Sequence, residues 1–124
     1  MGRTLSRRRF VALSLGPALG RILGANDRIQ LGLIGTGGRG QYNLGEIKKC
    51  VGANAEVTAV CDVWTPNRER VAAMSAEAWG KPPRQTADYR ELLDWRDVDA
   101  VVISTPDFGH SKILEAAVRA GKDV

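Results

Sequence analysis

Three glycines spaced Gly-x-Gly-x-x-Gly, an acid 22 residues beyond them and a later Ser-Thr-Pro turn are the residues of this chain placed to bind a phosphorylated ligand. The glycine group is Gly35-Thr36-Gly37-Gly38-Arg39-Gly40, between a strand-like run and helix-like sequence. In that setting Gly35 makes a tight turn and Gly37 lets the backbone approach a pyrophosphate with no Cβ in the way. Gly40 lets the helix pack closely on the sheet. The helix N-terminus offers free N–H groups and the positive end of its dipole to phosphates. With 14 glycines in 124 residues the spacing alone is weak, so its place between strand and helix carries the argument. Asp62 ends the second strand-like run, where a carboxylate accepts hydrogen bonds from a ribose diol and repels a 2′-phosphate. The expected ligand is a nicotinamide dinucleotide, with NAD favoured over NADP.

Ser104-Thr105-Pro106 follows a later apolar run on the same sheet edge, and its proline fixes the turn and presents an apolar face to the cofactor. His110, four residues on, is placed to reach the nicotinamide end, the competing reading being a surface or capping histidine. Arg68 lies near enough to cover an adenine but reads better as a solvated helix residue. A methyltransferase using S-adenosylmethionine shares the glycine loop and the acid after the second strand. It usually carries an acid just before the loop, where Leu33 and Ile34 stand here.

The elements that must position these residues follow from periodicity. Residues 28–34 and 56–61 read as strands, and residues 99–104 are the most apolar run, suited to a strand covered on both faces. Helix-like sequence runs over residues 38–51. Thr65-Pro66 reads as an N-cap followed by proline at the first helical position, with Val71, Met74, Ser75 and Ala78 forming a small apolar face. Asp88-x-x-Glu91 is a capping-box variant ahead of Leu92-Leu93. A last helix carries Ile113, Leu114, Ala117 and Val118, with Gly121 as its cap and Lys122-Asp123-Val124 leading into a further strand. Strands alternating with helices predict an α/β Rossmann-type doubly wound parallel sheet, here truncated before its last strands. In such sheets ligands bind beyond the carboxyl ends of the strands, where Gly35, Asp62 and Ser104 all fall.

The formal charge of +4 does not indicate a nucleic-acid partner. Residues 1–26 hold five arginines and no acid, leaving 13 basic against 14 acidic side chains over residues 27–124. Two cysteines are too few for a disulfide framework, Cys61 reads as a buried thiol, and one histidine builds no metal site. The start, Ser6-Arg7-Arg8-Arg9-Phe10 before a short apolar stretch, resembles a twin-arginine export signal. Residues 1–26 are therefore expected to address the chain to the twin-arginine machinery and the periplasm, and residues 27–124 to form the dinucleotide domain. Should the signal not function, the chain stays in the cytoplasm.

Taken together, Leu31-Gly32-Leu33-Ile34 with the glycine loop, Val60-Cys61-Asp62-Val63, residues 99–107, His110 and the ending Ala116-Ala117-Val118-Arg119-Ala120-Gly121-Lys122-Asp123-Val124 resemble the glucose–fructose oxidoreductase / inositol dehydrogenase / MocA-like family. The resemblance implies NAD(P)-dependent oxidation or reduction of a sugar, a polyol or a related ring alcohol. It also implies a second domain that supplies most substrate contacts. The family's catalytic lysine lies in a Glu-Lys-Pro motif after the strand expected to begin near Lys122. No residue of this sequence is therefore assigned the proton-transfer role, and the chain alone is expected to be inactive, with sugar or polyol bound only by a full-length form. The alternative is a stand-alone, non-catalytic dinucleotide-binding module. A sheet ending at the fourth strand is also expected to be sticky at that edge.

Overall fold

A computed structural model describes residues 27–124. The twin-arginine-like segment, residues 1–26, lies outside the described residues. The elements are β1 (Ile29–Ile34), α1 (Gly38–Val51), β2 (Ala55–Cys61), α2 (Thr65–Trp79), β3 (Arg84–Thr86), α3 (Tyr89–Asp94), β4 (Ala100–Ile103) and α4 (Asp107–Arg119). All strand pairs are parallel, in the order β3-β2-β1-β4. This is the Rossmann-type α/β sheet that the alternation of strand and helix patterns predicts.

Side chains alternate across the central strands and so feed two cores. Leu33 joins Leu44, Val57, Val60, Val71 and Ala72, contributed partly by α1 and α2. Its neighbour Ile34 joins Ala59, Cys61, Leu92, Val101, Ile113 and Ala117, contributed partly by α3 and α4. Helices therefore cover both faces, which is why the central strands read as nearly continuous apolar runs. Val57 and Val60 share a face although they are three residues apart. The β1–β2 register shifts between Leu31 and Gly32, leaving Thr58 as an extra residue, and this bulge resets the alternation.

Several helix ends differ from the sequence expectation. The cap of α2 is Trp64, and Thr65 and Pro66 are already helical. Asp62 Oδ1 accepts the Trp64 N–H at 2.8 Å, and that local turn starts the helix one residue early. Asp88 caps α3 by accepting the Arg90 N–H at 2.9 Å. The reciprocal half of a capping box is replaced, because the Asp88 N–H donates to Thr86 Oγ1 at 3.1 Å. Helix α4 buries Ile113 and Ala117, while Leu114 and Val118 stay exposed, so its buried stripe is narrower than its apolar spacing.

Helix α4 closes with the N–H groups of Gly121 and Lys122 bonded to the carbonyls of Val118 and Ala117, both at 3.0 Å. The Lys122 ammonium then turns inward onto the carbonyls of Trp95 and Val98, at 2.6 and 2.7 Å. The strand expected from Lys122 onward is present as a single bridge between Asp123 and Ala100.

The topology decides where a ligand can lie. From β1 the chain moves outward to β2 and β3, then crosses back to place β4 on the other side of β1. The connections after β1 and β4 consequently diverge, and a crevice opens beyond their carboxyl ends.

Candidate functional site

Gly35 forms the floor of this crevice. Its φ is +94°, a region in which a side chain is strained, and a Cβ there would lie 2.6 Å from the Ser104 carbonyl carbon. The loop after β1 therefore rests directly on the end of β4. Backbone bonds secure it on both sides: Gly35 N–H to Cys61 O at 2.9 Å, and Ser104 N–H to Ile34 O at 2.7 Å. At Gly40 a Cβ would collide with the Gly35 carbonyl oxygen, so α1 enters the fold in backbone contact with the loop.

Gly37 and Gly38 differ from these two. A Cβ on Gly37 would meet only Asn67 Nδ2, at 3.9 Å, and one on Gly38 would meet nothing within 4 Å. The packing of the protein does not require glycine at either position. What the two glycines leave is a clear lane over the start of α1. That helix has no acidic residue in its first turn and no side-chain cap on its N–H groups. Free N–H groups at a helix start, beneath an unobstructed lane, suit a pyrophosphate.

Asp62 stands at the end of β2 and is tied to the loop. Its Oδ2 accepts both the N–H and the hydroxyl of Thr36, each at 2.8 Å. Its Oδ1 accepts the Trp64 N–H. Burial pushes this carboxyl upward. The N–H groups of Trp64 and Thr36, the Thr36 hydroxyl and the Arg68 cation outweigh burial and hold it below its ordinary value of 3.8. Arg68 is not the freely solvated residue expected from sequence. It sits in the first turn of α2, and its Nη1 donates to the Asp62 carbonyl at 2.8 Å.

On the β4 side, Ser104 Oγ accepts from Asn43 Nδ2 at 2.9 Å, while the Thr105 hydroxyl is buried without a hydrogen-bond partner. Pro106 is exposed and caps α4. His110 Nε2 lies 3.2 Å from the Ile103 carbonyl, and the ring lines an apolar groove with Val102, Ser111, Leu114 and Val124. Arg39 is exposed, its guanidinium 5.6 Å from the Tyr42 ring.

The structure thus brings together Gly35, Thr36, Gly37, Gly38, Gly40, Asp62, Ser104 and Thr105. Pro106, His110 and Arg39 stand at the margin. Sequence reasoning missed Gln41, whose side chain donates to the Thr36 carbonyl at 3.1 Å, together with Asn43 and Asn67. The available signal was a pair of amide side chains in the first two turns of α1, directly after the glycine loop.

Cys61 lies beneath the site. Burial, reinforced by the carboxylates of Asp62 and Asp88, pushes its thiol up from 9.0 to about 12. Its ionisation therefore favours the unfolded chain, a contribution absent below about pH 9 that grows until about pH 12. At pH 8 a thiol reagent should label exposed Cys50 promptly and Cys61 only after denaturant is added. Prompt labelling of both thiols in the native chain would contradict the burial of Cys61.

Comparison with known proteins agrees with this geometry. A family model described as an oxidoreductase family with an NAD-binding Rossmann fold matches residues 29–124. An inositol 2-dehydrogenase/D-chiro-inositol 3-dehydrogenase of Shouchella clausii is 36% identical over 96 residues, covering 77% of this chain and 26% of its own length. A glycosyl hydrolase family 109 protein of Stenotrophomonas maltophilia is 32% identical over 130 residues, covering 94% of this chain and 28% of its own length. Among solved structures, the WlbA dehydrogenase of Bordetella pertussis, in complex with NADH and UDP-GlcNAcA, superposes with a TM-score of 0.68 at 25% identity. That match covers 78% of this chain and 27% of the dehydrogenase. The chain thus spans about a quarter of the length of these relatives.

Proposed function

Because the chain belongs to the Gfo/Idh/MocA oxidoreductase family as an NAD-binding Rossmann domain, we propose that residues 27–124 hold NAD for a sugar or polyol oxidoreductase. Asp62 carries this reading. It is a charged carboxylate at the strand end nearest the glycine lane, suited to a ribose diol and hostile to a 2′-phosphate. The residues fit the cofactor: the lane over Gly37 and Gly38 is open, and the buried Thr105 hydroxyl at the crevice lacks a partner.

In this reading the N–H groups at the start of α1 hold the pyrophosphate and Asp62 holds the adenosine ribose. Ser104 and Thr105 flank the path toward the nicotinamide. When bound, NAD supplies hydride acceptance and donation. No described residue is assigned a proton-transfer role.

The 32% identical relative named a glycosyl hydrolase favours a second reading of the full reaction. NAD also serves some glycoside hydrolases, and such a reaction would show sugar release without net NADH formation. Both readings place the same demand on this domain.

Titration of the 124-residue chain with NADH, NADPH and S-adenosylmethionine tests the proposal through tryptophan fluorescence, since Trp64 is exposed beside Asp62. NADH should quench the emission saturably, and NADPH should bind at least about tenfold more weakly, the cost of one unfavourable charge contact. A response to S-adenosylmethionine alone would overturn the assignment.

A further inference from the structure

We propose that Thr36, the residue between the first two glycines of the loop, is a positioning residue that sets the preference for a 2′-hydroxyl over a 2′-phosphate by holding the Asp62 carboxylate in one orientation. The inference rests on the cofactor reading above. Thr36 has no exposed surface, so it acts on a ligand only through another group. Two of the three donors on Asp62 are its N–H and its hydroxyl, both on Oδ2. The third, the Trp64 N–H, holds the other oxygen. Thr36 is itself held, because Gln41 donates to its carbonyl.

Thr36 has ordinary negative-φ backbone, so the turn of the loop does not depend on its hydroxyl. The hydroxyl is therefore a separable feature. A carboxylate held by fewer donors swings or takes up a proton more readily, and in either state it repels a 2′-phosphate less. The charged group facing Asp62 from α2 is Arg68. Cys61, Asp88 and Glu91 complete the titratable groups around this strand end.

The test compares Thr36→Val, Thr36→Ser and the unaltered 124-residue chain for NADH and NADPH affinity, with NADH binding also followed as pH is lowered. Thr36→Val matches the shape without the hydroxyl. It should bind NADH about tenfold more weakly, as expected for loss of one charge-assisted bond, while NADPH binding changes less, so that the preference narrows. Its acid limb should move to higher pH. Thr36→Ser restores the hydroxyl and should restore both the preference and the acid limb. If Thr36→Val gives no cooperative melt, Thr36→Cys, with only a weak donor, takes its place.

An unchanged NADH-to-NADPH ratio in the folded valine or cysteine variant would overturn the proposal. So would equal losses for both dinucleotides with no rescue by serine. An unaltered chain that binds neither dinucleotide would instead overturn the cofactor reading, and this inference with it.

Discussion

Gly40→Ala should destabilise the chain by about 3 kcal/mol, the upper end of what overpacking a close contact costs. The added Cβ would collide with the Gly35 carbonyl oxygen and press on its carbonyl carbon, 3.0 Å away. The obstacle is backbone, so no rotamer change relieves it. Relief requires α1 to move away from the loop, which disturbs the Gly35–Ser104 contact and opens the core around Leu33 and Leu44. Gly45 supplies the control. It is also within α1, but it is exposed and a Cβ there meets nothing within 4 Å. Gly45→Ala should raise stability by about 1 kcal/mol through helix propensity. Urea unfolding of both variants decides the matter, and equal midpoints would show that the close approach of α1 carries no energetic weight.

Asp62→Asn should lower NADH affinity by roughly a hundredfold, or about 3 kcal/mol, through loss of charge from hydrogen bonds to a ribose diol. Asparagine keeps the size of the side chain, and its carbonyl can still accept from Thr36, so a complete loss of fold is not expected. NADPH affinity should fall less, because the same change removes a repulsion. The pH dependence has a definite sign. The pKa of Asp62 in the folded chain lies below 3.8, so its contribution is present above the ordinary carboxylate range. That contribution is lost as pH falls through the lowered value. NADH binding measured downward from pH 7 should therefore persist to the lower part of the carboxylate range, and this acid limb should be absent from Asp62→Asn. Equal NADH binding by the variant and the unaltered chain would remove Asp62 from the site.

Much of this was legible in the residues themselves. Helix α1 runs over the residues that its apolar spacing and glycine start indicate, and β1, β2 and β4 fall on the apolar runs. Local chemistry was less legible where two partners competed for one group. Thr65 is a good capping residue by type, yet Asp62 captured the Trp64 N–H and moved the start of α2. Glu91 stands at capping-box spacing, but Thr86, two residues before Asp88, took the Asp88 N–H. Arg68 looked solvated because the strand end that receives its guanidinium belongs to another element.

By itself the sequence determined the alternation of elements, the glycine loop and the acid at the end of β2. Each of these depends on periodicity or on residue type over a short stretch of chain. Only the tertiary structure decided that the Gly35 turn rests against the backbone of Ser104 at the end of β4. It also decided that His110 lies along β4, and that Thr36 bonds a carboxylate 26 residues away. Those outcomes depend on strand order and on the β1–β2 register, which bring residues distant in sequence within hydrogen-bond reach.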